Sequence, residues 1–280
     1  MAQNITLVGT GGNVKDRYGG NYPHGTAVLG EMLMTDNAIG GVGIVPSAQG
    51  HVVGVQRTSG GGPVINEAEA ILEAALFLQP GDVMVLEMQT GDSNNNLWPI
   101  EILDAQYDAI VTATAAGIVV IEPASNGGMD LSQPVVRFGE TVGHSFLNPT
   151  HADFRDSGAI MVGAGSSAFP HTKMAFSDYG SRVDVFAWGE HIWTTSSKVD
   201  DWSYDDIYLE FSGTSGAAPI VAGAALSIQG MLAANGNPKL TPAAMRTLIK
   251  VGGTPSANPA TDLIGVQPNL RAIIDGGHLL

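Results

Sequence analysis

The chain has 280 residues, of which 44% are hydrophobic, 14% charged and 37 glycine, a balance that suits one globular α/β domain over residues 1–280 and not a disordered or coiled-coil chain. A formal net charge of -15 without any offsetting Lys/Arg run argues against nucleic acid as a partner, and the absence of cysteine excludes disulfides, zinc-thiolate sites and cysteine catalysis. No uninterrupted apolar run reaches the roughly 20 residues of a membrane span, so no membrane partner is expected, and Met1–Asn4 lack the basic and apolar regions of a signal peptide.

Ile5–Val8 reads as a short strand entering a glycine-rich loop, Gly9–Gly20, after which His24–Met34 has the apolar spacing of a helix that His24 opens. A second strand is predicted at Val52–Val55, and Gly60–Pro63 leads to a helix whose Ile65, Ala68, Leu72, Ala75 and Leu76 share one face. Val83–Met88 is a third strand. A helix through Leu103, Tyr107, Ile110 and Val111 precedes the β-branched strand Ile118–Ile121, and further strands fit Ala159–Ala164 and Val183–Ala187. A long helix of small residues runs from Ser215 to Ala234 before the Asn235–Pro238 break, and Thr241 with Pro242 starts the next helix. Strand and helix alternate as in βαβ units, which predicts a mostly parallel sheet.

A serine hydroxyl becomes a useful nucleophile where a base takes its proton and donors receive the developing oxyanion. In Gly213–Pro219 small residues flank Ser215 and allow close approach of substrate, with Pro219 suited to the first turn of the helix; serine is also an ordinary helix cap. His24 is the candidate base, because imidazole titrates nearest neutrality, although a lone histidine reads first as a surface or satisfied core residue. Asn126 follows an apolar strand and either directs its amide into a site or makes a turn before Gly127 and Gly128. Glu87 and Glu122 would favour a basic side chain in a pocket if they point inward; strand-end glutamates more often face solvent or pair structurally. The histidines at 51, 144, 151, 171, 191 and 278 show no ligand spacing and are read as structural.

His24-Gly25-Thr26 with Ala27–Gly30, then Val42–Pro46, Ile118–Gly127 and Gly213–Pro219 with the Ile220–Ala225 run behind it, resemble the subtilisin-like serine peptidases over almost the whole chain. The resemblance implies a three-layer α/β sandwich around a mostly parallel sheet. It also implies hydrolysis of peptide or protein substrates through an acyl-enzyme, with Ser215 as nucleophile, His24 as general base, and Asn126 with the Ser215 N–H as oxyanion donors. Ser125 stands where the family usually has glycine, which narrows the neighbouring pocket. Val83–Gly91 looks like the strand and loop lining the substrate cleft, and Asp178–Asp184 like the segment before the nucleophile. Thr35–Gly41 resembles a loop that binds calcium in many relatives through carbonyl oxygens and one asparagine. The acidic ligands expected upstream are absent, so the resemblance leaves calcium open as a structural ion and assigns it no metal residue; no cofactor is required for the chemistry, and secretion is expected.

The family's catalytic aspartate ends the first core strand, in apolar residues followed by Asp-Ser/Thr-Gly, and no such pattern precedes His24. Leu7-Val8-Gly9-Thr10-Gly11 would put Gly9 in its place; the preferred alignment makes Ile5–Val8 the following strand, so that the chain begins just downstream of the aspartate. Asp16 and Asp36 read as loop residues, and neither is assigned as the third triad member. The fold is thus expected to lack its first core strand and to leave two buried strand edges unpaired, so that the chain is unstable, rearranged, or completed by another segment, a separate N-terminal one that supplies strand and aspartate. Two other readings stand beside this one. The first is a catalytically inactive subtilisin-fold domain that binds peptides or serves as a scaffold. The second is an α/β-hydrolase that uses Ser215 with Asp262 and His278.

Overall fold

The computed structural model describes residues 5–9, 24–38, 40–59, 62–196 and 208–279. Strand β1 (Ile5–Leu7) pairs in parallel with β2 (Gly50–Val52), Ile5 opposite Gly50, and the two form a sheet of their own. The main sheet begins at β3 (Val83–Val85) and continues through β4 (Val119–Pro123), β5 (Ile160–Gly165) and β6 (Val185–Trp188), all parallel. Val266–Gln267 and then Thr254–Pro255 complete its far side, the last pair antiparallel.

The pleat of β4 shows how the layers arise. Val119 and Ile121 join the core beneath α1 (His24–Leu33) and α4 (Thr214–Ala234), whereas Ile118 and Val120 join the one beneath α2 (Glu67–Phe77) and α3 (Asp104–Ala115). Successive side chains point to opposite faces, so a continuous β-branched run requires helices on both sides of the sheet. The result is the expected three-layer α/β sandwich.

Some local expectations are corrected. The second strand is Gly50–Val52, and Gln56–Ser59 forms a hairpin with Gly62–Ile65, so Ile65 lies in a strand and the helix starts only after Asn66, whose side chain caps Glu69 N at 3.1 Å. That helix buries Ala70 and Ile71 and leaves Leu76 82% exposed. It is apolar on almost every side, so periodicity alone picks no face; contact with α3 does. Helix α4 is, by length and composition, long and apolar enough to cross a membrane, contrary to the reading from uninterrupted runs. Its small residues Ala217, Ala218, Val221, Ala222 and Ala225 are packed into the main core, which accounts for their apolarity.

Among the described residues β3 has no strand partner on its outer edge. Between that edge and β2 lies a cleft of about 1560 Å³, lined by Gly50–Val53 on one side and Asp82–Leu86 on the other. Two facing strand edges across a cleft are the arrangement expected of a sheet lacking one core strand. Asp16 and most of the Gly9–Gly20 loop lie outside the described residues.

Candidate active site

His24 is the first residue of α1, Ser215 the second of α4, and Asn126 lies three residues past β4; the folded chain brings all three to the wall of the one cleft. Gly213 precedes α4 with φ +96°, a left-handed backbone that side chains other than glycine rarely adopt, and this turn starts the helix at Thr214. Ser215 consequently sits in the first turn, where backbone N–H groups lack intrahelical acceptors and the helix dipole favours negative charge. Pro219 is not in that first turn, as the sequence suggested, but inside the helix, because the glycine cap moves the start forward to Thr214. Lacking an N–H, it removes the usual donor to the Ser215 carbonyl.

Asn126 is locked to the start of α4. Its Oδ1 accepts from Thr214 N at 2.9 Å and Thr214 Oγ1 at 3.1 Å, which leaves Nδ2 as its donor end. Gln89, just beyond β3, steadies the other side: its Oε1 accepts from Ser125 Oγ at 3.0 Å and Asn126 N at 3.1 Å, with Asn126 Nδ2 at 3.4 Å. Ser125 holds φ 84°, the conformation for which glycine is suited, and its hydroxyl bond to Gln89 offsets part of the strain. Behind this turn, buried Asp178 accepts from Gly127 N at 2.9 Å and Met129 N at 2.8 Å, and burial pushes its carboxyl up to about 8. The sequence assigned Asp178 to the fold and passed over Gln89 and Thr214.

The His24 ring meets Phe211 edge-on, with centroids 5.4 Å apart. Glu31, two turns along α1 on the same face, is only 6% exposed, and burial with the Glu87 charge pushes its carboxyl up to about 10. Burial likewise holds Glu87 well above the usual carboxylate range, while the Ser215 hydroxyl beside it acts in the opposite direction. The Ser215–Glu87 approach is nevertheless short of a well-formed hydrogen bond, because both oxygens of Glu87, like both of Glu31, are buried without a hydrogen-bond partner. A charged residue inside the apolar run Ala27–Met34 was the available sequence signal for Glu31.

Of the two strand-associated glutamates, Glu87 faces the cleft and Glu122 does not. Glu122 is wholly buried beside Glu101, whose backbone N–H it accepts at 3.0 Å, and next to Arg182, which Glu101 binds at 2.8 Å. Asp36 is exposed beyond the far end of α1, a helix of ten residues spanning about 15 Å, and so is remote from His24. Asp262 and His278 do not line the cleft of Ser215, which removes the α/β-hydrolase arrangement. Around Thr35–Gly41 the acidic side chains supply Asp36 alone, and no group of three His, Asp or Glu residues converges among the described residues.

Comparison with known proteins agrees with this geometry. Residues 10–262 match the family model described as the subtilase family. Over 205 residues the chain is 29% identical to subtilisin DY of Bacillus licheniformis, covering 73% of this chain and 62% of the relative, which is less than two thirds of that protein's length. A cold-adapted subtilisin-like serine proteinase of known structure is 25% identical with a TM-score of 0.57, covering 89% of this chain and 73% of that one. The self-cleaved protease domain of PatA has the same fold, at a TM-score of 0.66 and 18% identity over 96% of this chain and 87% of that one. With a family model spanning most of its length, the chain belongs to the subtilase family.

Proposed function

We propose that this chain is the catalytic domain of a serine endopeptidase that hydrolyses peptide bonds through an acyl-enzyme. The observation that carries the reading is the tie between Asn126 and Thr214, which fixes a side-chain amide donor against the helix that bears Ser215. In the proposed reaction Ser215 Oγ attacks the substrate carbonyl carbon and its proton passes to His24. The oxyanion is received by the Ser215 N–H and Asn126 Nδ2 at the positive end of α4. Collapse of the adduct expels the amine with the proton from His24, and water repeats the sequence to release the acid. Calcium has no step in this chemistry, and secretion is proposed on family grounds.

The cleft between β2 and β3 supports a further part of the reading. An extended segment entering there would pair with both strand edges and carry an acidic residue toward His24, holding the imidazole tautomer and stabilising its charged form. The test is casein hydrolysis by the full chain with and without a synthetic peptide of five β-branched apolar residues followed by Asp-Thr-Gly. The peptide is expected to raise the rate, its Asp→Asn version to do so far less, by a factor approaching about 10⁴, and Ser215→Ala to remove it. Tight peptide binding without hydrolysis in any mixture would instead identify a non-catalytic peptide-binding domain.

A further inference from the structure

Past the bond from Leu86 N to Ile121 O at 2.9 Å, strands β3 and β4 turn to different partners. Ala124 N donates to Val162 O at 2.8 Å, while Gln89–Gly91 pairs antiparallel with Leu97–Pro99. Side chains close the space between the two strand ends. Ser125 Oγ donates to Gln89 Oε1 at 3.0 Å, and the same oxygen accepts from Asn126 N at 3.1 Å. Ser125 lies on the cleft wall and is nevertheless only 1% exposed, at a backbone φ of 84° that favours glycine. Behind the bridge the space is filled as well, since a Cβ on Gly127 would collide with the Leu97 carbonyl oxygen and stand 3.1 Å from Asp178 Oδ1.

This bridge lies within a side chain's reach of the reaction. A carbonyl oxygen accepting from Asn126 Nδ2 at the usual ~2.9 Å stands within about 6 Å of Gln89 Oε1, which is 3.4 Å from that nitrogen. The leaving amine must face His24, which returns the proton, and the oxygen must face Asn126. The remaining substituent, the residue on the acyl side of the scissile bond, is therefore turned away from His24, onto the wall that Asn126 shares with Ser125 and Gln89. Two oxygens at hydrogen-bonding distance leave no room for a carbon chain between them.

We propose that the Ser125–Gln89 bridge determines specificity: it closes the pocket for the acyl-side residue, so that the site takes glycine or alanine there and rejects large side chains. This rests on the serine-peptidase reading. The strained serine backbone is held for the sake of that closure, because a glycine would adopt the same turn freely and leave the pocket open.

The test uses the full chain with the Asp-bearing strand peptide present. It compares the rates at which Ser215 is modified by two peptidyl diphenyl phosphonates that differ only in the side chain beside phosphorus, a methyl or a benzyl group. A fluorophosphonate without a peptide side chain is the reference. In the wild type the methyl probe should react about 100-fold faster than the benzyl probe. Ser125→Gly should lower that preference about tenfold, and adding Gln89→Ala should bring the two probes near parity, although Gln89→Ala slows both. A purely structural role would slow both probes equally and leave their ratio unchanged.

A wild type that reacts with the benzyl probe as fast as with the methyl probe, or a ratio unchanged in the double variant, would overturn the proposal. If the fluorophosphonate labels Ser215 while these ratios fail, the specificity assignment alone has failed. If no phosphonate labels Ser215 in the folded chain, the serine-peptidase reading has failed and the assignment falls with it.

Discussion

Replacing Glu31 by glutamine should change how stability depends on pH. In the folded chain burial and the Glu87 charge carry the Glu31 carboxyl from 4.5 to about 10. The native state therefore holds a proton that the unfolded state releases. Its contribution is complete below about pH 4.5 and is lost progressively as pH rises toward 10, at about 1.4 kcal/mol per pH unit. Between pH 6 and pH 8 the wild type should lose about 3 kcal/mol from this group. Glutamine has no such equilibrium, and Glu87 remains buried in both proteins, so the difference between them isolates Glu31. Urea unfolding at pH 6, 7 and 8 should show Glu31→Gln gaining on the wild type by about that amount across the series. A difference constant over the range would mean that Glu31 is ionised in the folded protein and would refute the reasoning.

Three other outcomes follow from the packing around the site. Asp178 accepts two backbone N–H bonds through one oxygen while the other is buried without a partner; Asp178→Asn should cost under about 1 kcal/mol at neutral pH, and Asp178→Ala about 2–3 kcal/mol, by thermal unfolding. Gln89→Ala removes the acceptor shared by Ser125 and Asn126; fluorophosphonate labelling of Ser215 should slow by about tenfold while the melting temperature moves little. Arg182→Met leaves Glu101 and Glu122 buried without their cation, while Asp184 keeps Arg246 and Lys250, and chemical denaturation should register a loss of about 3–5 kcal/mol.

Where short-range chemistry dictates structure, the sequence was legible. The β-branched run at Ile118–Ile121 announced a strand covered on both faces, and the small residues around Ser215 announced a helix start approached closely by other groups. The companions of these residues depend on long-range contacts that local pattern does not carry. Gln89 is 37 residues from Asn126, and Glu87 is distant in sequence from Glu31 yet its charge acts on it in the fold. Helix α2 failed for a different reason: with apolar residues on nearly all sides, Leu72 and Leu76 looked as much like core as Ile71, and only the position of α3 distinguishes them. Glu87 and Glu122 had the same apparent choice from sequence; one faces the cleft beside Ser215 and the other the buried Glu101–Arg182 pair.

The most direct test of a subtilase active site in this chain is the intact mass of the folded protein after exposure to a fluorophosphonate, alongside Ser215→Ala and His24→Ala. A single phosphonyl adduct on the wild type, absent from Ser215→Ala and strongly reduced in His24→Ala, is the predicted result. A folded wild-type chain that remains unmodified, alone and with the Asp-bearing strand peptide, would contradict it.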